Sequence, residues 1–149
     1  SYLRGFRGLG QTLRFTGPPA HPLALLVEEQ RVRPVWSFRW MLRVLDVPAA
    51  LSGRGYPPVS EEFLLSVEDG LFPENRGPWR VVAEGGVVSV WPAPEVGRVQ
   101  PISIGTLSSL YAGSLSAWDA VAFGLVDEAA APALGRLFGG PEPWMHDFF

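Results

Sequence analysis

The feature that most constrains the fold of this chain is a pair of β-rich runs joined by two glycines. Trp79–Glu84 and Val87–Trp91 flank Gly85-Gly86. Two glycines between such runs are typical of a two-residue hairpin, because glycine adopts the positive φ values that tight hairpin turns require. The sequence therefore predicts two adjacent antiparallel strands here, and the rest of the fold has to be arranged around them.

Three further apolar runs predict additional strands. Phe38–Leu45 and Phe63–Val67 show the alternation of a strand with two distinct faces. Pro101–Ile104 is shorter and suits the edge of a sheet, since proline has no N–H to donate to a neighbour. Together with the hairpin, these runs predict a largely antiparallel sheet of about five strands.

Helix signals surround and follow the strands. Asp46–Pro48 predicts the start of a short helix that ends near Gly53. Three more helices are predicted in the last third of the chain, one capped by Thr106, one capped by Ser116 and one containing Leu134. Strands followed by segregated helices indicate an α+β fold with helices packed on one face of the sheet.

Composition narrows the classes of function. The chain has 149 residues, a net charge of -3 and no Cys, and all 12 of its basic residues are Arg. These arginines form no basic stripe long enough to follow a phosphate backbone, so we expect no nucleic-acid partner. No apolar run approaches the roughly 20 residues of a membrane span, and no signal peptide is visible. We expect a cytoplasmic protein without disulfides.

The first 36 residues do not predict a self-sufficient fold. They contain a strand-like run, Thr12–Thr16, but too little apolar sequence to bury a core, so we expect them to pack on a missing partner. Gly5–Gly10 superficially resembles the glycine loop that binds acetyl-CoA in acetyltransferases of the GNAT superfamily. That loop needs a strand before it and a helix after it. The order is wrong here, and a glycine turn ending a helix is predicted instead, with no cofactor site.

No metal site is predicted either. The two histidines, His21 and His146, lie far apart in the sequence and lack the spacing of metal ligands.

Several stretches, taken in order, resemble the sterol-carrier-like domain at the C-terminal end of acetyltransferases of the enhanced-intracellular-survival (Eis) family. They correspond, in chain order, to the exit from the preceding acetyltransferase-like domain, the start of the sterol-carrier-like domain, its helix with the pattern Leu-x-x-Leu-Tyr-x-Gly, and its C-terminus. The stretches are Arg14–Pro19, Asp46–Leu51 followed by Arg54–Pro57, Gly105–Gly113, and Pro143-Trp144 with Phe148-Phe149.

This resemblance implies a domain organisation and a partner set. Residues 1–36 would be the tail of the preceding acetyltransferase-like domain, and residues 37–149 the sterol-carrier-like domain. The whole enzyme would acetylate amines with acetyl-CoA held by a catalytic domain missing from this chain, which alone is expected to be inactive. Its partners would be the upstream domains of the same polypeptide and the amine substrate, and we expect a homo-oligomer at full length.

The resemblance also implies a site at the end of the chain. The terminal carboxylate of Phe149 would act as the base, with Asp147, Phe148 and Trp144 contacting substrate. An amine arrives as an ammonium ion and must lose a proton before it attacks the thioester. An α-carboxyl group starts near a pKa of ~3.5, and burial among aromatic rings would raise that pKa toward a useful range.

Other interpretations stay open. The end of the chain could be an apolar tail held by packing alone, and the domain could serve as a scaffold for oligomer contacts. A sterol-carrier fold could also enclose an apolar tunnel for a lipid or acyl chain. Aromatic residues at strand and helix spacing could line such a tunnel, namely Trp40, Phe63, Trp79, Trp91, Tyr111, Trp118 and Phe123.

Overall fold

The structure is a computed structural model that describes residues 8, 12–19, 21–27, 31–94, 99, 101–141 and 143–145. It divides into two compact units, Trp36–Pro143 and a smaller one that comprises Ser1–Val35 with Trp144–Phe149.

The smaller unit contains one short helix, α1 (Pro22–Leu25), among its described residues. The Nδ1 atom of His21 accepts a hydrogen bond from the Leu23 N–H at 3.1 Å, so this histidine caps the helix. Thr12–Thr16 forms no strand, contrary to the sequence prediction. The predicted glycine turn over residues 5–10 lies outside the described residues except for Gly8.

The larger unit is built on an antiparallel sheet of three strands, β1 (Glu61–Leu65), β3 (Trp79–Glu84) and β4 (Val87–Pro92), in the order β1-β3-β4. The predicted hairpin is confirmed: Gly85 and Gly86 have φ values of 57° and 90° and connect β3 to β4. Along β3, Trp79, Val81 and Ala83 are buried while Arg80 and Glu84 are exposed. One face of the sheet is therefore covered, as the sequence predicts.

The sheet is smaller than the five strands predicted, because the short strands pair separately. β2 (Val67–Glu68) and β5 (Ile102–Ser103) form a two-stranded parallel pair with Val67 opposite Ile102. The predicted strand Phe63–Val67 is interrupted at Ser66, whose carbonyl accepts a hydrogen bond from the Ile102 N–H at 2.9 Å. Pairing beyond Ser66 thus passes to β5 and not to a further antiparallel neighbour.

The prediction of a strand at Phe38–Leu45 is wrong: the structure has neither helix nor strand there. Side chains from distant parts of the chain bind its main chain where a neighbouring strand would. The Val44 N–H donates to the Ser108 hydroxyl at 3.0 Å. The Leu45 carbonyl accepts from the Asn75 side-chain amide at 3.0 Å.

The helices follow the sequence prediction with one correction. They are α2 (Val47–Gly53), α3 (Ile104–Ala112), α4 (Ala117–Ala122) and α5 (Ala131–Phe138), with short 3-10 turns at Pro73–Asn75 and Glu128–Ala130. Asp46 caps α2 and Ser116 caps α4, as predicted. Ser103, not Thr106, caps α3, because its hydroxyl accepts the Thr106 N–H at 3.0 Å. Thr106 is instead buried inside the helix.

The core of the larger unit lies between the covered face of the sheet and the helices. α2 packs against β4, and α5 packs against β1, α3 and α4. Apart from Asn75 and Asp69, the largest side chains that are fully buried are aliphatic and come from both sheet and helices: Val47, Leu51, Val81, Val88, Leu107, Leu110, Leu134 and Leu137. The α+β class is confirmed.

Candidate functional site

The predicted site residues fall at the end of the chain, where the structure describes only one of them. Trp144 has a side chain that is 45% exposed. Asp147, Phe148 and Phe149 lie outside the described residues. The proposed carboxylate base is therefore still a prediction. The structure describes the residues that precede it, up to residue 145.

The chain leaves the larger unit beside the end of α3. Gly113 ends this helix with a φ of 78°, and its N–H donates to the Leu110 carbonyl at 3.0 Å. A methyl group built on Gly113 would lie 3.8 Å from both the carbonyl oxygen of Pro141 and the Cδ atom of Pro143. The glycine of the motif that carried the family resemblance thus contacts the segment that precedes Trp144.

An arginine surrounded by aromatic rings joins the two motifs in space. The guanidinium carbon of Arg54 lies 5.4 Å from the ring centre of Tyr56, 5.2 Å from that of Tyr111 and 5.6 Å from that of Phe138. Its Nη1 atom donates a hydrogen bond to the Tyr111 carbonyl. Such cation–π contacts stabilise an arginine that is partly removed from water. Arg54 therefore ties α2 to the ends of α3 and α5, which flank the point where the chain leaves.

Tyr56 completes this cluster as a hydrogen-bond donor. Its hydroxyl donates to the Leu51 carbonyl at 2.8 Å, and its ring meets that of Phe138 edge-on at 6.2 Å. Burial raises the pKa of Tyr56 well above its ordinary value, although the neighbouring Arg54 charge opposes the rise. The phenol therefore stays protonated at neutral pH, and its contacts indicate a structural role.

A second polar cluster, which the sequence analysis missed, is centred on the buried carboxylate of Asp69. Its Oδ1 atom accepts hydrogen bonds from Arg43 at 2.6 Å and from the backbone N–H groups of Leu71 at 2.8 Å and Phe72 at 3.2 Å. Its Oδ2 atom accepts from the Asn75 side-chain amide at 2.9 Å. Burial alone would raise the pKa of Asp69, but these hydrogen bonds and the Arg43 charge outweigh it and lower the pKa to about 2.

Asn75 extends this cluster to the start of α2. Its Oδ1 atom accepts the Val47 N–H at 3.0 Å, and its own carbonyl accepts the Trp79 indole N–H at 3.0 Å. Within the described residues no buried side-chain nitrogen or oxygen lacks a partner. A carboxylate whose lone pairs are already satisfied has little capacity left for a ligand, so this cluster is structural. The only sequence signal for it was Asp69-Gly70, which is typical of a turn.

A shallow apolar groove of about 440 Å³ lies between α4 and α5. Its lining includes Leu115, Ala117, Trp118, Leu134 and Phe138. Arg136 lies at its edge and forms an exposed ion pair with Glu61, which lowers the pKa of that carboxyl group. The groove is open to solvent, and its lining includes the core residues Ala117, Leu134 and Phe138.

The seven aromatic residues suggested as a tunnel lining do not come together. Trp79 is buried in the core, and Phe63 and Tyr111 pack partly buried against it. Trp91, Trp118 and Phe123 are largely exposed, and of the seven only Trp118 lines the groove. Among the described residues, these side chains are divided between the core and the exposed surface, whereas the lipid hypothesis requires them to share one closed tunnel.

The described part of the chain lacks two further features. It contains no cluster of three or more His, Cys, Asp or Glu side chains that could hold a metal ion. None of its helices is both long and apolar enough to cross a membrane.

Solved structures similar to this chain include N-acetyltransferases, and the match covers between 27% and 35% of their length. A GCN5-related N-acetyltransferase from Anabaena variabilis is 32% identical with a TM-score of 0.80, and the match covers 89% of this chain and 34% of that one. A GCN5-related N-acetyltransferase from Kribbella flavida is 33% identical with a TM-score of 0.76, and the match covers 89% of this chain and 35% of that one. Eis1 from Mycobacterium abscessus is 25% identical with a TM-score of 0.56, and the match covers 72% of this chain and 27% of that one.

The sequence comparison gives the family. No curated protein matches the chain. Residues 47–146, two thirds of the chain, match the sterol carrier protein domain. This range contains every helix and strand of the larger unit, so the fold and the sequence agree, and the chain belongs to the sterol carrier protein domain family.

Proposed function

We propose that this chain is the C-terminal part of a GNAT-type N-acetyltransferase of the Eis type. The observation that carries the proposal is the match to two GCN5-related N-acetyltransferases, at 32% and 33% identity over 89% of this chain, which itself spans about a third of theirs. The remaining two thirds would hold acetyl-CoA and the amine. In this arrangement residues 1–36 belong to the preceding domain and residues 37–149 form the sterol-carrier-like domain.

The described residues support a role that depends on other parts of the enzyme. The acidic groups with lowered pKa values are engaged in structural contacts, Asp69 with Asn75 and Arg43 and Glu61 with Arg136. The groove offers an apolar surface and one arginine at its rim. Neither arrangement supplies a base next to a binding site for an acyl thioester. We therefore propose that acetyl-CoA binds to the upstream region. The proposal also includes a homo-oligomer at full length, on the family resemblance alone.

The contribution of this domain would be its chain end. The terminal carboxylate of Phe149 would take a proton from the substrate ammonium, with Trp144, Asp147 and Phe148 around the amine. The neutral amine would then attack the thioester carbonyl, forming the amide bond and releasing coenzyme A as the thiol. The close approach of Pro141 and Pro143 to Gly113 supports this role, because it fixes the point from which the last residues extend.

The test uses the full-length enzyme with one glycine appended after Phe149. General-base catalysis typically contributes a factor of about 10²–10⁴, so we expect kcat to fall about a hundredfold or more while the KM for acetyl-CoA is unchanged. Phe149→Leu keeps the terminal carboxylate in place and is the matched control, with most of kcat retained. Full activity after the extension would remove the carboxylate role. A full-length protein that acetylates no amine would remove the enzyme assignment itself.

The volume of the groove is the observation that favours the lipid-binding alternative. The groove of about 440 Å³ has a volume within the roughly 300–1,000 Å³ that is usual for ligand pockets, although such pockets are more enclosed. Organic extracts of the purified full-length protein, analysed by mass spectrometry, should contain no stoichiometric lipid if the acetyltransferase proposal is right. One bound acyl chain per protein would favour the carrier function.

A further inference from the structure

The end of α3 receives a hydrogen bond from a distant arginine. The last four carbonyl groups of an α-helix have no partner within the helix. In α3 the Leu110 carbonyl accepts from the Gly113 N–H in the turn that follows, whereas the Tyr111 carbonyl accepts from the guanidinium of Arg54. The positive charge suits this position, because the C-terminal end of a helix carries a partial negative charge.

The same guanidinium contacts the end of α5. Phe138 is the last residue of that helix, and its ring centre lies 5.6 Å from the guanidinium carbon of Arg54. The Phe138 side chain is buried in the core. Arginine suits both contacts at once, because a planar guanidinium can lie over an aromatic ring and still donate hydrogen bonds from its edge. Arg54 therefore holds the ends of α3 and α5 next to each other.

These two helix ends fix the segment that leads out of the larger unit. The segment begins directly after Phe138 and then passes Gly113, which lies two residues beyond Tyr111. A methyl group built on Gly113 would lie 3.8 Å from the Pro141 carbonyl oxygen and from the Cδ atom of Pro143. Arg54 thus contacts the helix that the segment leaves and the helix end that it passes.

The position of Pro143 limits where the proposed carboxylate can act. Six residues follow Pro143, and even a fully extended chain of six residues spans at most about 20 Å. A general base must come within about 3 Å of the group that gives up its proton. A placement error of about 1 Å can cost roughly a hundredfold in rate, so a displaced Pro143 would slow catalysis by an intact carboxylate.

We propose that Arg54 is a positioning residue for the chain-terminal carboxylate. By holding the ends of α3 and α5 together, it fixes Pro143, the point from which the last six residues extend toward the amine. Arg54 contacts no substrate in this role and acts only through the chain end. This inference rests on the proposed function, and it assigns a catalytic consequence to a residue outside the proposed site.

The test is a double-mutant cycle in the full-length enzyme that combines Arg54→Met with the glycine appended after Phe149. Methionine keeps an unbranched apolar side chain beside the rings but has no charge and no donor. We expect Arg54→Met alone to lower kcat about tenfold or more, with the KM for acetyl-CoA unchanged. In the extended chain the carboxylate is already misplaced, so the same substitution should lower kcat less than about twofold.

Arg80→Met is the matched control. Arg80 forms an exposed ion pair with Glu62 on the sheet, and its loss should leave kcat unchanged in both chains. Far-UV circular dichroism gives the folded fraction of each variant, so that kcat is expressed per folded molecule. A purely structural Arg54 would lower the folded fraction without changing that kcat.

Two results would overturn the inference: an unchanged kcat in Arg54→Met, or an equal loss of kcat in the normal and the extended chain. If Arg54→Met does not fold, Arg54→Lys replaces it, because lysine keeps the charge and lacks the planar fork; its smaller loss should again be confined to the normal chain. The extended chain with native Arg54 separates the two failures. Its full activity would refute the carboxylate role and this inference with it, whereas a hundredfold loss with an additive effect of Arg54 would refute this inference alone.

Discussion

Asn75→Ala is expected to destabilise the larger unit strongly, because this one side chain connects three parts of the chain. Asn75 is 1% exposed, accepts the Val47 N–H, and donates to the Leu45 carbonyl and to Asp69. Alanine would leave the buried Val47 N–H without an acceptor, which costs about 1–3 kcal/mol. Loss of the hydrogen bond to Leu45 adds about 0.5–1.5 kcal/mol, and the loss at Asp69 adds to both. We expect a decrease of about 2–4 kcal/mol in the free energy of unfolding.

Urea unfolding, followed by far-UV circular dichroism, measures this decrease. With a slope of about 1–3 kcal/mol per molar urea, the midpoint should fall by roughly 1–2 M. Glu74→Ala is the control, because Glu74 is the exposed neighbour in the same 3-10 turn, and its midpoint should not change. An Asn75→Ala midpoint within about 0.3 M of the wild type at unchanged slope would refute this account of the cluster.

Three further predictions use the same urea assay. The folded-state pKa of Asp69 is about 2, below the ordinary 3.8. The contribution of Asp69 to the free energy of unfolding is therefore complete above pH 3.8 and is lost as the pH falls toward 2. In Asp69→Asn, the urea midpoint should fall less between these two pH values than it does in the wild type. Gly113→Ala should cost about 1–2 kcal/mol because φ is positive there, whereas Gly53→Ala, at a helix end with open space around it, should be neutral or slightly stabilising. Ser108→Ala should cost about 1–3 kcal/mol, since the buried Val44 N–H loses its acceptor; a shift no larger than that of exposed Ser114→Ala would contradict it.

Local signals in the sequence predicted the local parts of the fold. Gly85-Gly86 specifies its turn through backbone conformations available to glycine, and Ser116 specifies a helix start through a hydrogen bond three residues along the chain. Strand pairing depends on residues distant in sequence. The strand prediction at Phe38–Leu45 was wrong, and the contacts that hold this main chain come from Ser108 and Asn75, which are distant in the sequence.

The candidate site shows the same limit. Arg54, Tyr111 and Phe138 meet only because α2, α3 and α5 pack together, and no local spacing relates them. The family resemblance drew attention to the motifs of Arg54 and Tyr111 separately, without placing them in contact. The Asp69–Asn75 cluster was missed because a buried carboxylate with four donors has the same local sequence as an exposed turn. The roles of Asp147, Phe148 and Phe149 are still predictions.

The way Ser108 and Asn75 hold the main chain of Val44 and Leu45 has a consequence for where this module can be cut. The sequence match to the family begins at residue 47, yet Arg43, Val44 and Leu45 supply partners to Asp69, Ser108 and Asn75 inside the matched region. A truncated chain starting at Val47 would keep every helix and strand of the larger unit and still lose these bonds. Gene fusions or domain transplants should therefore place their junction before Arg43, so that Arg43, Val44 and Leu45 stay attached to the domain that they stabilise.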